Sequence, residues 1–291
     1  MSGKIPNRPE TLATGREDGQ ADPAHAARAT VRGVAAAAQL ACVLEVSAEK
    51  PGNITPSHDF HDTSYEDMVR SAIAIGPELA RAGERGVGET VLAAVRASRG
   101  AGNTNLGIVL LLAPLARAAL DGVPVAATLD ALDVADARAV YAAIRLAGAG
   151  GLEERVEHDV RDEPVIGLRE AMAAAAERDS IASEYATGFA ITFGVGVPAL
   201  VSALERLPVR DAIVELHLRL LERVPDTLIA RKRGAEAAAR VSAGARGVLA
   251  GRLTLREFDA SLREPGNAFN PGTTADLVTA ALFVALVEGR L

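Results

Sequence analysis

A succession of alanine-rich segments, in which larger apolar side chains recur at helical spacing, most constrains how this chain can fold. The first of them runs from Ala26 to Val46. Aromatic residues make up only 3% of the 291 residues and Trp is absent, so the core has to be built from Ala, Leu, Val and Ile. Because alanine is the strongest helix former and strand signals are scarce, we predict an all-α protein: a single compact bundle of about ten helices.

Capping signals indicate where several helices begin. A serine or threonine followed three residues later by an acidic residue is typical of a capping box. The predicted starts are Ser64 with Asp67, Thr254 with Glu257, and Asp133 before a helix over 134–147. The segment 170–185 is helical in composition, whereas 187–201 is β-branched enough to be ambiguous.

The first 25 residues differ from the rest, since they are rich in Gly, Pro and charged residues and lack the apolar run of a secretory signal. We therefore predict a mobile polar leader over 1–25 and a helical catalytic domain over 26–291. The most apolar run, 106–120, is shorter than the ~20 residues that cross a bilayer and contains Pro114. It predicts a buried core helix and no membrane partner.

The net charge of −7 argues against a nucleic-acid partner, because such proteins usually carry a basic excess. A pocket for an anionic small molecule remains compatible with it, since a few local cations can dominate a pocket. The single cysteine, Cys42, cannot form an intrachain disulfide, and a cytoplasmic location is the simplest interpretation. The oligomeric state stays open, with a homodimer among the possibilities.

A polar loop from Lys50 to Asp62 interrupts the helices, and binding groups concentrate in such loops. Lys50, before Pro-Gly, could place its ammonium on a phosphate. Asp59 and Asp62 are three residues apart and would share one face of a helical turn, a pair that suits Mg²⁺ bridging a polyphosphate. The alternative is a solvated loop whose Asp residues cap helices.

A second loop, 100–107, is rich in glycine and leads directly into the apolar helix. A glycine-rich turn at a helix N-terminus offers free N–H groups and the positive dipole end to an anion, and Asn103 and Asn105 add amide groups. No Gly-Lys-Ser/Thr follows, so the loop is not a Walker A sequence. The alternative is simple capping of the helix by Asn105.

Three later segments hold further candidates. Glu184 is a carboxylate in otherwise apolar sequence, and Asp226 precedes the densest basic triplet, 231–233, which could meet a triphosphate. The alternative for the triplet is a solvated helix end, and Asp276 could be only a dipole partner in the first turn of the last helix. His217, on a largely apolar helix, is more typical of a structural residue.

Taken in order, these segments resemble the triphosphoribosyl-dephospho-CoA synthase family. The resemblance is carried by Glu45 with 50–53, His58-Asp59, Asp62 and Ser71, by 103–107, by Asp226-Thr227 with Arg231, and by 272–277. Asn53-Ile54-Thr55 stands where the family has Leu-Val-Asp, and Asn105-Leu106 replaces its His-Lys. These departures indicate a divergent branch, which we associate with one-carbon, methanopterin-type cofactor pathways.

The resemblance implies transfer of the 5-triphosphoribosyl group of ATP to a hydroxyl of dephospho-CoA or a related cofactor precursor, with release of adenine and with Mg²⁺ as cofactor. On that basis Glu184 or Asp226 would be the base or cation stabiliser, and Asp59 and Asp62 would bind Mg²⁺. The expected substrate- and phosphate-binding residues are Lys50, Gly52, Asn53, His58, Asn103, Thr104, Asn105, Arg231, Thr273 and Asp276. The alternatives are a helical Mg²⁺-dependent nucleotide or ADP-ribosyl hydrolase, and a non-enzymatic nucleotide-binding protein.

Overall fold

A computed structural model describes residues 29–99, 105–148 and 160–291. Within these ranges it contains fourteen α-helices and no β-strand, which confirms the predicted all-α class. The helices are α1 Val31–Ser47, α2 Tyr65–Ala80, α3 Val87–Ala97, α4 Leu106–Asp121, α5 Val125–Asp130, α6 Val134–Ala147, α7 Leu168–Ala173, α8 Ser180–Thr187, α9 Val197–Leu204, α10 Val209–Arg223, α11 Thr227–Arg233, α12 Ala235–Leu249, α13 Leu255–Leu262 and α14 Gly272–Val287. The predicted leader over 1–25 lies outside the described residues.

The helices outnumber the predicted ten because several are short and one predicted segment is divided. Within 170–185, α7 ends at Ala173, and α8 begins again at Ser180 with Asp179 as its cap. The ambiguous segment 187–201 is helical: a π-helical turn, Thr192–Gly196, continues into α9. The β-branched residues of this segment therefore do not form a strand, and packing decides their conformation.

Three of the predicted helix caps are confirmed. Both capping boxes form, at Ser64 and Thr254, and Asp133 accepts from two amides at the start of α6. Asn105 does not cap α4 through its side chain. The amide of Asn105 is thereby available for another contact.

Two helices, α4 and α14, form the centre of the larger hydrophobic core and pack on each other and on α1. Both are buried over most of their length. A smaller core joins α10 to α13, with Ile229 and Phe258 among its members. The two cores leave the first turns of α4, α8, α11 and α14 facing a common space.

No described helix is by itself long and apolar enough to cross a bilayer. One bent pair, Ser180–Thr187 with Thr192–Leu204, meets the criterion jointly in length and composition, with a bend of 94° between its parts.

Candidate functional site

A cavity of about 1600 Å³ lies where four helices begin. Leu106, Ser180, Thr227 and Thr273, from the first turns of α4, α8, α11 and α14, all line it. The Thr227 side chain links three of these helices, since its Oγ1 accepts from Ser180 N at 3.3 Å and donates to Thr273 Oγ1 at 3.3 Å. Helix N-termini carry partial positive charge, so their convergence suits an anionic ligand. The volume exceeds the roughly 300–1,000 Å³ typical of a pocket for one small ligand.

The structure brings part of the predicted site together at this cavity. Six predicted residues line it: Asn53, Asp62, Asn105, Arg231, Thr273 and Asp276. Six others do not: Lys50, Gly52, His58, Asp59, Glu184 and Asp226. The remaining two, Asn103 and Thr104, lie outside the described residues. Half of the described predicted residues therefore line the cavity, and the other half stand behind its wall or beside it.

Lys50 lies in the core and not on the cavity wall. Its Nζ donates to the backbone oxygen of Glu45 at 2.5 Å and lies 3.0 Å from Glu45 Oε1, and both side chains are almost fully buried. Burial raises the pKa of Glu45, and the Lys50 ammonium offsets part of that rise. Glu45 itself lines the cavity. In this structure Lys50 therefore pairs with a carboxylate of the cavity wall and does not occupy the position expected for a phosphate contact.

Gly52 and His58 also have local roles in the loop. Gly52 adopts a φ of 76°, and its N–H donates to Asp259 Oδ1 at 2.8 Å. A Cβ at this position would lie 2.9 Å from Pro271 Cδ, so both conformation and space favour glycine. His58 is exposed, with its Nδ1 3.0 Å from Ser57 Oγ. Neither residue lines the cavity.

Asp59 and Asp62 do not share a helical face, because the segment between Thr55 and Ser64 is not helical. Asp59 Oδ1 instead accepts from Tyr65 N at 2.8 Å at the start of α2. Asp62 is exposed at the cavity, 3.7 Å from His61 Nε2. Among the described residues, no group of three or more His, Cys, Asp or Glu side chains is arranged to hold a metal ion. The geometric premise of the predicted carboxylate pair is thus wrong, and Asp62 alone faces the cavity.

Asp226 is a buried carboxylate whose oxygens are all engaged. Oδ1 accepts from Leu228 N at 2.9 Å and Ile229 N at 3.0 Å, which caps α11, and Oδ2 accepts from both N and Oγ1 of Thr274 at 2.8 Å. Burial raises its pKa, and these donors offset part of the rise. Asp226 therefore joins α11 to α14.

Glu184 is bonded in the same manner. Its carboxylate accepts from Ile191 N at 2.9 Å, Thr192 N at 2.7 Å and Thr192 Oγ1 at 2.5 Å, so it fixes the start of the π-helical turn. Burial raises the pKa of Glu184, against the effect of these three donors. The catalytic roles predicted for Glu184 and Asp226 stay predictions, and in this structure both carboxylates stabilise the fold.

Two amide side chains in the cavity wall retain unsatisfied polar atoms. Asn53 Nδ2 donates to Asn270 Oδ1 at 2.7 Å, while Asn53 Oδ1 is buried without a partner among the described residues. Asn105 Oδ1 accepts from Ser98 Oγ at 3.1 Å, and Asn105 Nδ2 is similarly left without a described partner. Buried polar atoms of this kind are uncommon in folded proteins and often mark a functional position.

The cations of the wall lie on and beside α11. Arg231 donates to Asp179, and Asp179 Oδ1 also accepts from Ile181 N at 2.8 Å as the cap of α8. Lys232 is exposed at the cavity, and Arg178 lines the wall beside Asp179. Asp179 is a cavity residue that the motifs above do not predict, although an Asp directly before Ser180 and Ile181 is a recognisable N-cap signal.

Asp276 differs from the other partly buried carboxylates of the wall. It makes no hydrogen bond and no ion pair within the described part of the chain, and it packs against Gly107 at the start of α4. Burial raises its pKa well above the usual value, and the negative charges of Glu45, Asp226 and Asp179 raise it further, with Arg231 acting in the opposite direction.

The fold and the cavity define an all-α protein with a large cavity at the first turns of four helices. The chain belongs to the ATP:dephospho-CoA triphosphoribosyl transferase family, whose sequence profile matches residues 31–291. A crystal structure from Archaeoglobus fulgidus, assigned as a triphosphoribosyl-dephospho-CoA synthase, is similar at 32% sequence identity and a TM-score of 0.62. The similarity covers 76% of this chain and 99% of that one. No curated protein matches the chain.

Proposed function

We propose that this protein transfers the 5-triphosphoribosyl group of ATP to a hydroxyl of dephospho-CoA, or of a related cofactor precursor, and releases adenine. The observation that carries the proposal is the family match over 31–291, together with a cavity of about 1600 Å³ lined by residues of the matching motifs. In the reaction the acceptor oxygen forms a bond to C1′ of the ribose, while the bond between C1′ and the adenine nitrogen breaks. The electron pair of that bond leaves with adenine, and the acceptor hydroxyl loses its proton.

The triphosphate is best accommodated beside the first turns of α8 and α11. Arg231 and Lys232, in the last turn of the short helix α11, and Arg178, just before α8, provide positive charge nearby. The N-termini of the helices add their dipoles. A divalent cation would be held by Asp62 together with phosphate oxygens, since Mg²⁺ commonly uses one or two carboxylates and the substrate itself. Asp59 fits this role less well, because it lies off the cavity wall and its Oδ1 is occupied by Tyr65 N.

The ribosyl transfer also requires that water be kept from C1′. Cleavage of a glycosidic bond passes through an oxocarbenium-like state that water can capture as readily as an alcohol. Apolar side chains, among them Ile108, Ile144 and Ile181, form a large share of the wall. They favour a dry reaction centre in which the acceptor hydroxyl is positioned and water is excluded.

The direct test is to incubate the protein with ATP, Mg²⁺ and dephospho-CoA and to identify the products by liquid chromatography and mass spectrometry. Free adenine and a triphosphoribosylated acceptor, in equal amounts, are expected. Adenine formed at the same rate without an acceptor would instead support the hydrolase, and ADP or AMP would indicate phosphate chemistry. Related cofactor precursors in place of dephospho-CoA then identify the acceptor.

A matched pair of arginine variants tests the position of the triphosphate. Arg231→Met removes a cation of the cavity wall, whereas Arg252→Met removes an exposed arginine that does not line it. A hydrogen bond to a charged group contributes about 1.5–3 kcal/mol, so Arg231→Met should raise the KM for ATP by roughly 10- to 100-fold. An equal effect of Arg252→Met would contradict this placement.

A further inference from the structure

The carboxylate of Asp276 occupies a space that Gly107 leaves open. Asp276 is in the first turn of α14 and Gly107 in the first turn of α4, and both line the cavity. A Cβ on Gly107 would overlap with Asp276 Oδ2 and would lie 2.7 Å from Ile181 Cδ1. The lack of a side chain at 107 therefore permits this position of the carboxylate.

Asp276 also differs from two other described carboxylates of the wall in its lack of a hydrogen-bond or ion-pair partner. Glu45 is paired with Lys50, and Asp179 with Arg231 and the amides of α8. Asp276 has no such partner among the described residues, although three negative charges act on it: Glu45 from α1, Asp179 before α8 and Asp226 before α11. Within the same ranges Arg231 is the cation that acts on it, and Arg231 is bonded to Asp179.

An unpaired, partly buried carboxylate surrounded by like charges is costly for folding, because its ionised form is neither solvated by bulk water nor compensated. The same surroundings make it a good proton acceptor, since a general base is most effective when its pKa lies closer to the working pH than that of an exposed Asp. They also make Asp276 unsuited to the phosphate contact expected from the sequence, because two anions would repel each other.

We propose that Asp276 is the general base of the transfer: it takes the proton of the acceptor hydroxyl while that oxygen bonds to C1′ and adenine departs with the electron pair of the broken bond. This role rests on the proposed function. The departing adenine takes up a proton as it leaves, and Asp276 returns its own to solvent or to adenine, so the cycle is balanced. Gly107 is the positioning residue that lets the carboxylate reach this place.

The first test is Asp276→Asn, which preserves shape and removes the basic oxygen. General-base catalysis typically contributes 10²–10⁴-fold, so kcat should fall by about that factor with little change in the KM for ATP. The wild-type pH profile of kcat should show an acidic limb that the variant lacks. The control is Glu236→Gln, an exposed carboxylate that does not line the cavity, whose kcat should stay within twofold of wild type.

The second test is Gly107→Ala, which retains the carboxylate and displaces it. A misplacement of about 1 Å can cost 10²-fold, so kcat should again fall, with the acidic limb retained. Thermal unfolding checks that both variants fold. A raised native pKa means that the native carboxyl binds more protons than the unfolded one above pH 3.8, so the contribution of Asp276 to the stability of the wild type falls as pH rises through that window. Asp276→Asn should lack this pH-dependent loss of stability, and its Tm should exceed that of the wild type at the upper end of the pH range.

The outcomes separate the two proposals. A wild type that yields adenine and product, combined with an Asp276→Asn variant of similar kcat, overturns the general base and leaves the proposed function standing. A wild type that releases no adenine overturns both. Equal pH dependence of Tm in the wild type and Asp276→Asn would also overturn the general base, because it would show an ordinary, solvated carboxylate.

Discussion

Asp226 and Asp276 both act at the start of α14, and they differ chiefly in their hydrogen bonds. Burial raises the pKa of both carboxyls. Asp226 accepts four hydrogen bonds, two of them from Thr274, whereas Asp276 has no hydrogen-bond partner among the described residues. A saturated carboxylate has no lone pair free for a substrate, while an unsaturated one retains its reactivity. Their bonding therefore separates a residue that maintains the site from one that can act in it.

The same distinction applies to the larger set. One group is hydrogen-bonded inside the protein, behind the cavity wall: Lys50, Glu184 and Asp226. The other group lines the wall and has polar atoms without a partner among the described residues: Asn53, Asn105 and Asp276. The first group should therefore affect stability when replaced, and the second should affect turnover. The following variants test this division in order of decreasing effect.

The largest loss of stability is expected for Lys50→Met. This change leaves the buried Glu45 carboxylate without its counter-charge, and breaking a buried pair in this way typically costs about 3–5 kcal/mol. Urea unfolding monitored by circular dichroism measures the change. A folded, stable variant that has lost only its affinity for ATP would instead support the phosphate contact that the sequence predicts for Lys50.

Asp226→Ala should cost about 3 kcal/mol. It removes the cap of α11, worth about 1 kcal/mol, and leaves the buried N–H and hydroxyl of Thr274 without an acceptor, at about 1–3 kcal/mol. The free energy of unfolding is the measurement, with Asp226→Asn as the milder companion. A stable variant with no turnover would contradict the proposed difference from Asp276 and indicate a catalytic role for Asp226.

His217→Leu should stabilise the protein by about 1 kcal/mol at neutral pH, because the buried imidazole has no described partner for either ring nitrogen. Burial, and then the Lys50 charge, lower its pKa well below 6.5. The unfolded imidazole consequently binds more protons than the native one below pH 6.5, and the contribution of His217 to the stability of the wild type decreases as pH falls there. The variant should lose less over the same range, as measured by Tm from pH 7 to pH 5. A decrease in stability at pH 7 would reveal an unrecognised partner of His217.

The smallest changes in stability are expected for Asp59→Asn and Asp62→Asn, within about 0.5 kcal/mol each, because both residues lie in an exposed part of the loop. They should differ in turnover, since Asp62 alone faces the cavity. The Mg²⁺ concentration that gives half-maximal rate should rise more for Asp62→Asn than for Asp59→Asn. Equal effects would indicate that the two carboxylates act together after all.

Much of the helical structure was predictable because its signals are local. The capping boxes at Ser64 and Thr254 and the helix after Asp133 follow from side chains within three residues of each helix start. The helical state of 187–201 was not predictable in this way. It depends on Glu184, whose bonds to Ile191 and Thr192 stabilise a turn that local propensity leaves ambiguous. The division of 170–185 coincides with Asp179, the cap of α8.

The sequence by itself determined the all-α class, several helix starts, the family and the segments that surround the cavity, because each depends on periodicity, capping or ordered motifs. Only the tertiary structure decided which polar residues of those segments have their hydrogen-bonding groups occupied inside the protein. Lys50 and Asp226 look as functional as Asp276 in the sequence, since the spacing of residues records neither burial nor hydrogen bonds. Those depend on contacts between distant parts of the chain, such as Asp226 with Thr274 and Asp276 with Gly107.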